Sequence, residues 1–167
     1  HRHTNFAILS LLFVLVRAVN SALAYPKPTP KPILRSKTKE LIYTGMNQGI
    51  SWYVYLLNTR PAGRFKVDTE VRRLYLVDSE TVVEKTTNKL TNLVQCSTTS
   101  PFVATRDWTF NSKNTRINFL NPGGLLSGAD FADHMLYWRV CHGLKNPQRY
   151  LPEELKFKAE RLGYTTV

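Results

Sequence analysis

The chain has 167 residues and a mass of 19.2 kDa, enough for one domain of about 100–150 residues plus an appendage and too little for two. Two cysteines exclude a disulfide-dense miniprotein and a four-cysteine metal knuckle. Against 12 Asp+Glu stand 23 Lys+Arg, a formal charge of +11, so an acidic partner has to be considered, yet no catalytic signature stands out.

The charge is unevenly placed. Arg2, Arg17, Lys27, Lys31, Arg35, Lys37 and Lys39 all precede the first acid, Glu40, so residues 1–39 carry +7 and residues 40–167 only +4. A nucleic-acid-binding domain concentrates positive charge on its folded surface. Here the excess belongs to the N-terminal region, which directs the expectation to membrane orientation or targeting and away from nucleic acid.

Residues 1–25 form the apolar segment. Phe6–Val16 is an unbroken run of eleven apolar or small residues, interrupted by Arg17 and continued weakly by Ala18–Tyr25. A secretory signal peptide fits through a basic start (Arg2), this apolar stretch, and Ala22-Leu23-Ala24 as a small-x-small cleavage site. A membrane helix fits through Phe6–Tyr25, which at 1.5 Å per residue reaches about 30 Å, one hydrocarbon core. The absence of any Asn-x-Ser/Thr acceptor weighs against export, and a retained helix is favoured. Arg17 within such a span costs about 2.5–3.5 kcal/mol unless it snorkels or meets a partner. The Lys/Arg of Lys27–Lys39 then place the C-terminal domain on the positive, matrix-like side.

Residues 26–40 form a basic, proline-rich arm: Tyr25–Pro32 has proline at every second position, which imposes extended polyproline II. Residues 41–167 form the folded unit. Its strand candidates are a start near Leu41, then Ile50–Leu57 bounded by Gly49 and Asn58, with Pro61 and Gly63 beyond. Val71–Val77 and Thr81–Lys85 come next, with Asp78-Ser79-Glu80 as a turn, and then Leu90–Cys96, Phe102–Phe110 and Thr115–Leu120. This spacing predicts an antiparallel meander. Asn121-Pro-Gly-Gly124 ends it, and Ser127–Asp130 reads as a helix-start box. Phe131, Met135, Trp138 and His142 share one helix face closed by Gly143. A last helix opens at Pro152 with Glu153 and Glu154, presents Leu155, Ala159 and Leu162, and stops at Gly163. The predicted class is α+β, a small antiparallel sheet with one or two C-terminal helices.

No constellation of reactive groups emerges. Cys96 and Cys141 form one bridge in an oxidising compartment or two buried thiols in a reducing one, and the sequence leaves both open. A nucleophile pair of Cys141 with His134 or His142 is disfavoured, since seven residues of helix separate the first pair by about 10 Å and the second points apart. Asp130 and Asp133 read as helix-start acids rather than an acid–base pair. His134, His142 and Cys141 lack a close ligand pair for zinc, and Gly123, Gly124 and Gly128 match no phosphate loop. Trp52, Trp108 and Trp138 read as core, and Arg72-Arg73 as a solvated strand end.

Leu41-Ile-Tyr-Thr-Gly45 with Arg73-Leu-Tyr75 further along resembles matrix-facing assembly factors of the transmembrane protein 70 type over a handful of residues. The membrane hairpin of that family is absent between these motifs, and no expectation is drawn from the resemblance. The residues together point to a non-catalytic accessory subunit of a membrane-embedded complex, of mitochondrial inner-membrane respiratory or ATP-synthase type. Arg17, Lys27, Lys31 and Arg35 would face lipid or neighbouring subunits, with no cofactor, metal or small-molecule substrate. The alternative is a secreted binding or effector protein with a cleaved signal peptide and a Cys96–Cys141 bridge, and a weaker one is an organellar ribosomal accessory protein.

Overall fold

The computed structural model describes residues 39–107, 115–124, 126 and 130–165. The apolar segment, all of the arm but Lys39 and Glu40, the four cations Arg17, Lys27, Lys31 and Arg35, and Trp108 and Gly128 lie outside the described residues.

Six strands neighbour one another in space in the order of the sequence: β1 (Glu40–Asn47), β2 (Ile50–Val67), β3 (Glu70–Val83), β4 (Thr86–Cys96), β5 (Phe102–Asp107) and β6 (Thr115–Phe119), each antiparallel to the next. The first three connections are two-residue turns, each with a residue at positive φ: Gln48 and Gly49, Asp68, and Glu84. Such tight turns fix register, and register fixes which side chains face inward. Val54, Val77, Val94 and Val103 share the inner face and are buried.

Two strand boundaries differ from the sequence expectation. Asp78-Ser79-Glu80 is no turn; β3 runs through it, because each polar residue finds a partner. Asp78 pairs with Arg60 at 3.5 Å, the Ser79 hydroxyl accepts from Asn92 at 2.9 Å, and Glu80 meets Lys39 at 2.6 Å. β2 likewise continues past Asn58 through Pro61 and Gly63, absorbing them as register shifts at Leu56/Asn58 and Pro61/Gly63. β1 reaches β2 only as far as Leu56, so among the described residues Asn58–Val67 pairs on one side alone. Proline is tolerated on such an edge, where it and the neighbouring Arg and Lys deter further strand pairing.

Helix α1 (Phe131–His142) packs on the inner face against β1, β2, β4 and β5. A 3-10 turn (Pro147–Arg149) and helix α2 (Pro152–Arg161) cover its far side. The predicted single apolar face is therefore incomplete: Asp133 to Trp138 are all buried, as expected of a helix enclosed by two layers. In α2, Leu155 and Ala159 are buried, whereas Leu162 is exposed because the helix has ended and the chain turns at Gly163 to bring Tyr164 inward. Gly143 closes α1 in the left-handed region at φ 65°, its N–H donating to the Arg139 carbonyl.

Side chains tie these layers to the sheet. The Gln148 amide mimics a strand, accepting from the Thr44 N–H at 2.8 Å and donating to its carbonyl at 2.7 Å, and so occupies the free edge of β1 at that residue. Arg139 Nε donates to Glu40 at 2.7 Å. Gly45 lies opposite Trp52, and a Cβ there would sit 2.6 Å from the indole nitrogen, so the ring packs against bare backbone.

Candidate functional site

Three elements converge at one corner: the end of β4, the last turn of α1 and the chain beyond α2. Cys96 closes β4, Cys141 sits in that last turn, and the structure joins them in a disulfide with Cα atoms 5.5 Å apart. The link spans 45 residues and clamps the sheet to α1. With both sulfurs bonded to each other, Cys141 has no thiolate to pair with His134 or His142.

One turn before Cys141, Tyr137 reaches the same corner. Its hydroxyl lies 3.2 Å from the Ser97 amide nitrogen, 3.0 Å from the Ser97 carbonyl and 2.5 Å from the Tyr164 hydroxyl, which in turn lies 2.6 Å from His142 Nε2. One proton order serves every contact: His142 Nε2–H donates to Tyr164, Tyr164 to Tyr137, and Tyr137 to the Ser97 carbonyl, while Ser97 N–H donates back to Tyr137. Burial pushes both phenols up and the imidazole down, which keeps all three rings uncharged.

Glu70 anchors the neighbouring loop. Burial raises its pKa, but the Thr99 hydroxyl, Arg72, and the Thr98 amide and hydroxyl outweigh that and bring it down to about 2. Ser97 adds a further hydroxyl at 2.9 Å from both carboxylate oxygens. A carboxylate so engaged is a structural anion, not a proton donor at neutral pH. Arg72 is thus half-buried in an ion pair at 3.0 Å, a correction to its reading as solvated, whereas Arg73 is exposed. A cavity of about 280 Å³ opens here between Glu70, Arg73, Tyr75, the disulfide, His142 and Tyr164.

On the other side of His142 lies a larger groove of about 510 Å³, between the end of α1 and α2. Its walls include Trp138, Tyr150, Lys145, Lys158 and Arg161, with no acidic side chain lining it. The Lys158 ammonium sits 5.2 Å from the centre of the Tyr150 ring, and Arg149 5.1 Å from it. Cations over aromatic walls suit an anionic ligand with an apolar body.

At the opposite end of α1, Asp130 and Asp133 are drawn together by Asn118, whose amide donates to both at 3.1 and 2.9 Å, and Arg116 pairs with Asp133 at 3.2 Å. Asp130 occupies the N-cap position but makes no side-chain cap bond. Burial raises the Asp133 pKa, opposed by Asn118 and Arg116. His134 uses both ring nitrogens, Nδ1 toward the Asp130 carbonyl at 2.8 Å and Nε2 toward the Asn121 amide at 3.3 Å. Among the described residues no group of His, Cys, Asp and Glu is arranged to hold a metal. Neither the tyrosine relay nor the basic groove is marked by a local spacing in the sequence. The only signal for either was the density of Tyr, Lys and Arg after Gly143, which has no period of its own.

Within the described residues no helix is long and apolar enough to cross a membrane. Comparison with protein families, with curated proteins and with solved structures returns no match to this chain.

Proposed function

We propose that this protein is an exported, non-catalytic binding protein whose domain is stapled by the Cys96–Cys141 bridge and whose basic aromatic groove takes an anionic, partly apolar ligand. The supporting observation is the disulfide itself. Such bonds persist in oxidising compartments and are reduced in a matrix-like one, so the bridge favours reading Phe6–Val16 and Ala22-Leu23-Ala24 as a cleaved signal. The candidate nucleophiles and general bases are occupied: the cysteines by each other, Glu70 by its loop, His134 by two backbone groups.

The second reading, a membrane-anchored accessory subunit, draws on Arg17 within the apolar run and on the acid-free stretch to Lys39. It requires the segment to be retained and the folded unit to face a reducing side. Expression from the full chain in a secretory eukaryotic host, with intact mass measured on the product, separates the two. A secreted product beginning at Tyr25 and two mass units light supports export; a membrane-bound product retaining Phe6–Val16 with free thiols overturns it. Titration with a sulfonated naphthalene fluorophore then tests the groove. Binding that the Lys158→Ala, Arg161→Ala double variant weakens about tenfold supports the anionic ligand, and unchanged binding removes it.

A further inference from the structure

The basic groove is one end of a longer trough beside α1. Phe131, Met135, Trp138 and His142 fall on one face of that helix, and the face borders two cavities in turn. Trp138 and His142 wall the basic groove of about 510 Å³, whereas Phe131 and Met135 wall a second cavity of about 400 Å³. Each volume falls within the range of about 300–1,000 Å³ typical of small-molecule sites. From Phe131 to His142 the face runs about 16 Å at 1.5 Å per residue. Tyr150 lines both cavities and so stands where one gives way to the other.

The two ends differ in chemistry. Lys145, Lys158 and Arg161 line the first, with no carboxylate among its walls. The second has no charged side chain among the described residues of its lining; Leu126, Leu151, Pro152 and Leu155 close it around the two α1 residues. The Gln148 amide also borders it, but the Thr44 backbone engages that amide on both sides, so it asks nothing of a ligand. Leu151 is 61% exposed and leaves apolar surface at this end in contact with water.

We infer that the trough holds a single-chain anionic amphiphile of the fatty-acid kind. Its head lies among Lys145, Lys158 and Arg161, and its alkyl chain passes Tyr150 into the apolar cavity. This rests on the anionic-ligand reading of the groove and adds where the apolar part of that ligand goes. Charge complementarity sets the direction, since a reversed ligand would desolvate its carboxylate among leucines without a hydrogen-bond partner. The Lys158 ammonium, 5.2 Å from the centre of the Tyr150 ring, puts a cation at the junction where head and chain meet. A cavity near the lower limit for whole ligands has room for one alkyl chain, not the pair of a bilayer phospholipid. The occupant is therefore a free amphiphile and not a membrane surface.

Isothermal titration calorimetry of the disulfide-bonded protein with hexanoate, octanoate, decanoate and dodecanoate is the test. Affinity is expected to rise about fourfold per added methylene as the chain enters the apolar end. Leu151→Asp reduces that rise to less than about twofold per methylene. Leu151 occupies the N-cap of α2, where Asp is a favoured residue, so the variant keeps its helix. The Lys158→Ala, Arg161→Ala double variant weakens every member by one common factor of about tenfold and keeps the dependence on length. Affinity indifferent to chain length overturns the inference, and so does a dependence that survives Leu151→Asp. If the naphthalene sulfonate still binds in either case, the groove reading stands without this one; if it does not, both fall. Cosedimentation with phosphatidylglycerol vesicles by a protein that binds no free carboxylate overturns the inference in favour of a membrane surface.

Discussion

Removing the Cys96–Cys141 bridge isolates how much of the fold depends on a single covalent link. The bond closes a segment of 45 residues that runs from the end of β4 through β5, β6 and most of α1. In the chain-entropy description, closing a loop of that length in the unfolded state is worth about 4 kcal/mol at 25 °C, toward the upper end of the usual 2–4 kcal/mol. Both cysteines also pack at the rim of the core, and their replacement by alanine forfeits some contact. Wild type held reduced is expected to lose about 4 kcal/mol, and the Cys96→Ala, Cys141→Ala double variant slightly more. With a urea m-value of about 1.5–2 kcal/mol/M, the midpoint falls by about 2 M. Urea unfolding monitored by tryptophan fluorescence with and without reductant measures this directly. Coincident midpoints for oxidised and reduced protein would refute the claim that the bridge constrains the unfolded chain.

Three further outcomes concern single residues. Glu70→Gln should cost about 2 kcal/mol at pH 7 through loss of its charge-assisted bonds. Because the folded Glu70 pKa lies at about 2, below its ordinary value of 4.5, its contribution is complete above that ordinary value and disappears as pH falls toward 2. Chemical denaturation from pH 7 to pH 2.5 should therefore show wild type converging on the variant. Asp133 is shifted the opposite way, so its contribution is present below its ordinary pKa and lost as pH rises through the folded one. Asp133→Asn is expected to stabilise by about 0.5–1.5 kcal/mol at pH 7, since the Arg116 partner is largely exposed and adds little, and to lose that gain near pH 3. Gly45→Ala drives a methyl group into the Trp52 ring and should cost about 1–3 kcal/mol with a change in near-ultraviolet circular dichroism; an unaltered spectrum and midpoint would show that the ring has room to move.

The fold was legible wherever one face of an element dominated its composition. Val94 and Val103 on alternating strands, Met135 and Trp138 on α1, and Leu155 and Ala159 on α2 announce burial through period alone. Reading broke down where polar residues acted through partners distant in sequence. Asp78-Ser79-Glu80 has turn composition, and only Arg60, Asn92 and Lys39, brought alongside by the sheet, make it a strand. Pro61 ends a strand in isolation but not at an edge that β1 leaves uncovered. The candidate site was the least legible part. Tyr137, Tyr164 and His142 assemble across 27 residues, and the basic groove is drawn from α1, α2 and the segment between them, so no local spacing marks either.

Asn92 shows what the polar interior contributes. Its amide nitrogen donates to the Val77 carbonyl at 3.0 Å and the Ser79 hydroxyl at 2.9 Å, and its oxygen accepts from Thr105 at 2.9 Å, although the residue is 2% exposed. With both amide protons and the oxygen engaged, burial carries little net cost, and little net stability is gained over an apolar side chain of the same shape. Its effect is on the choice among arrangements. A one-residue slip of β4 against β3 or β5 would turn the Asn92 amide to the outer face and strand the Ser79 and Thr105 hydroxyls beneath α1, each at about 1–3 kcal/mol. The same slip would turn Thr91 and Leu93 inward and lift Val94 out of the core. Register and the inner core are therefore set together by one transverse row of hydrogen bonds.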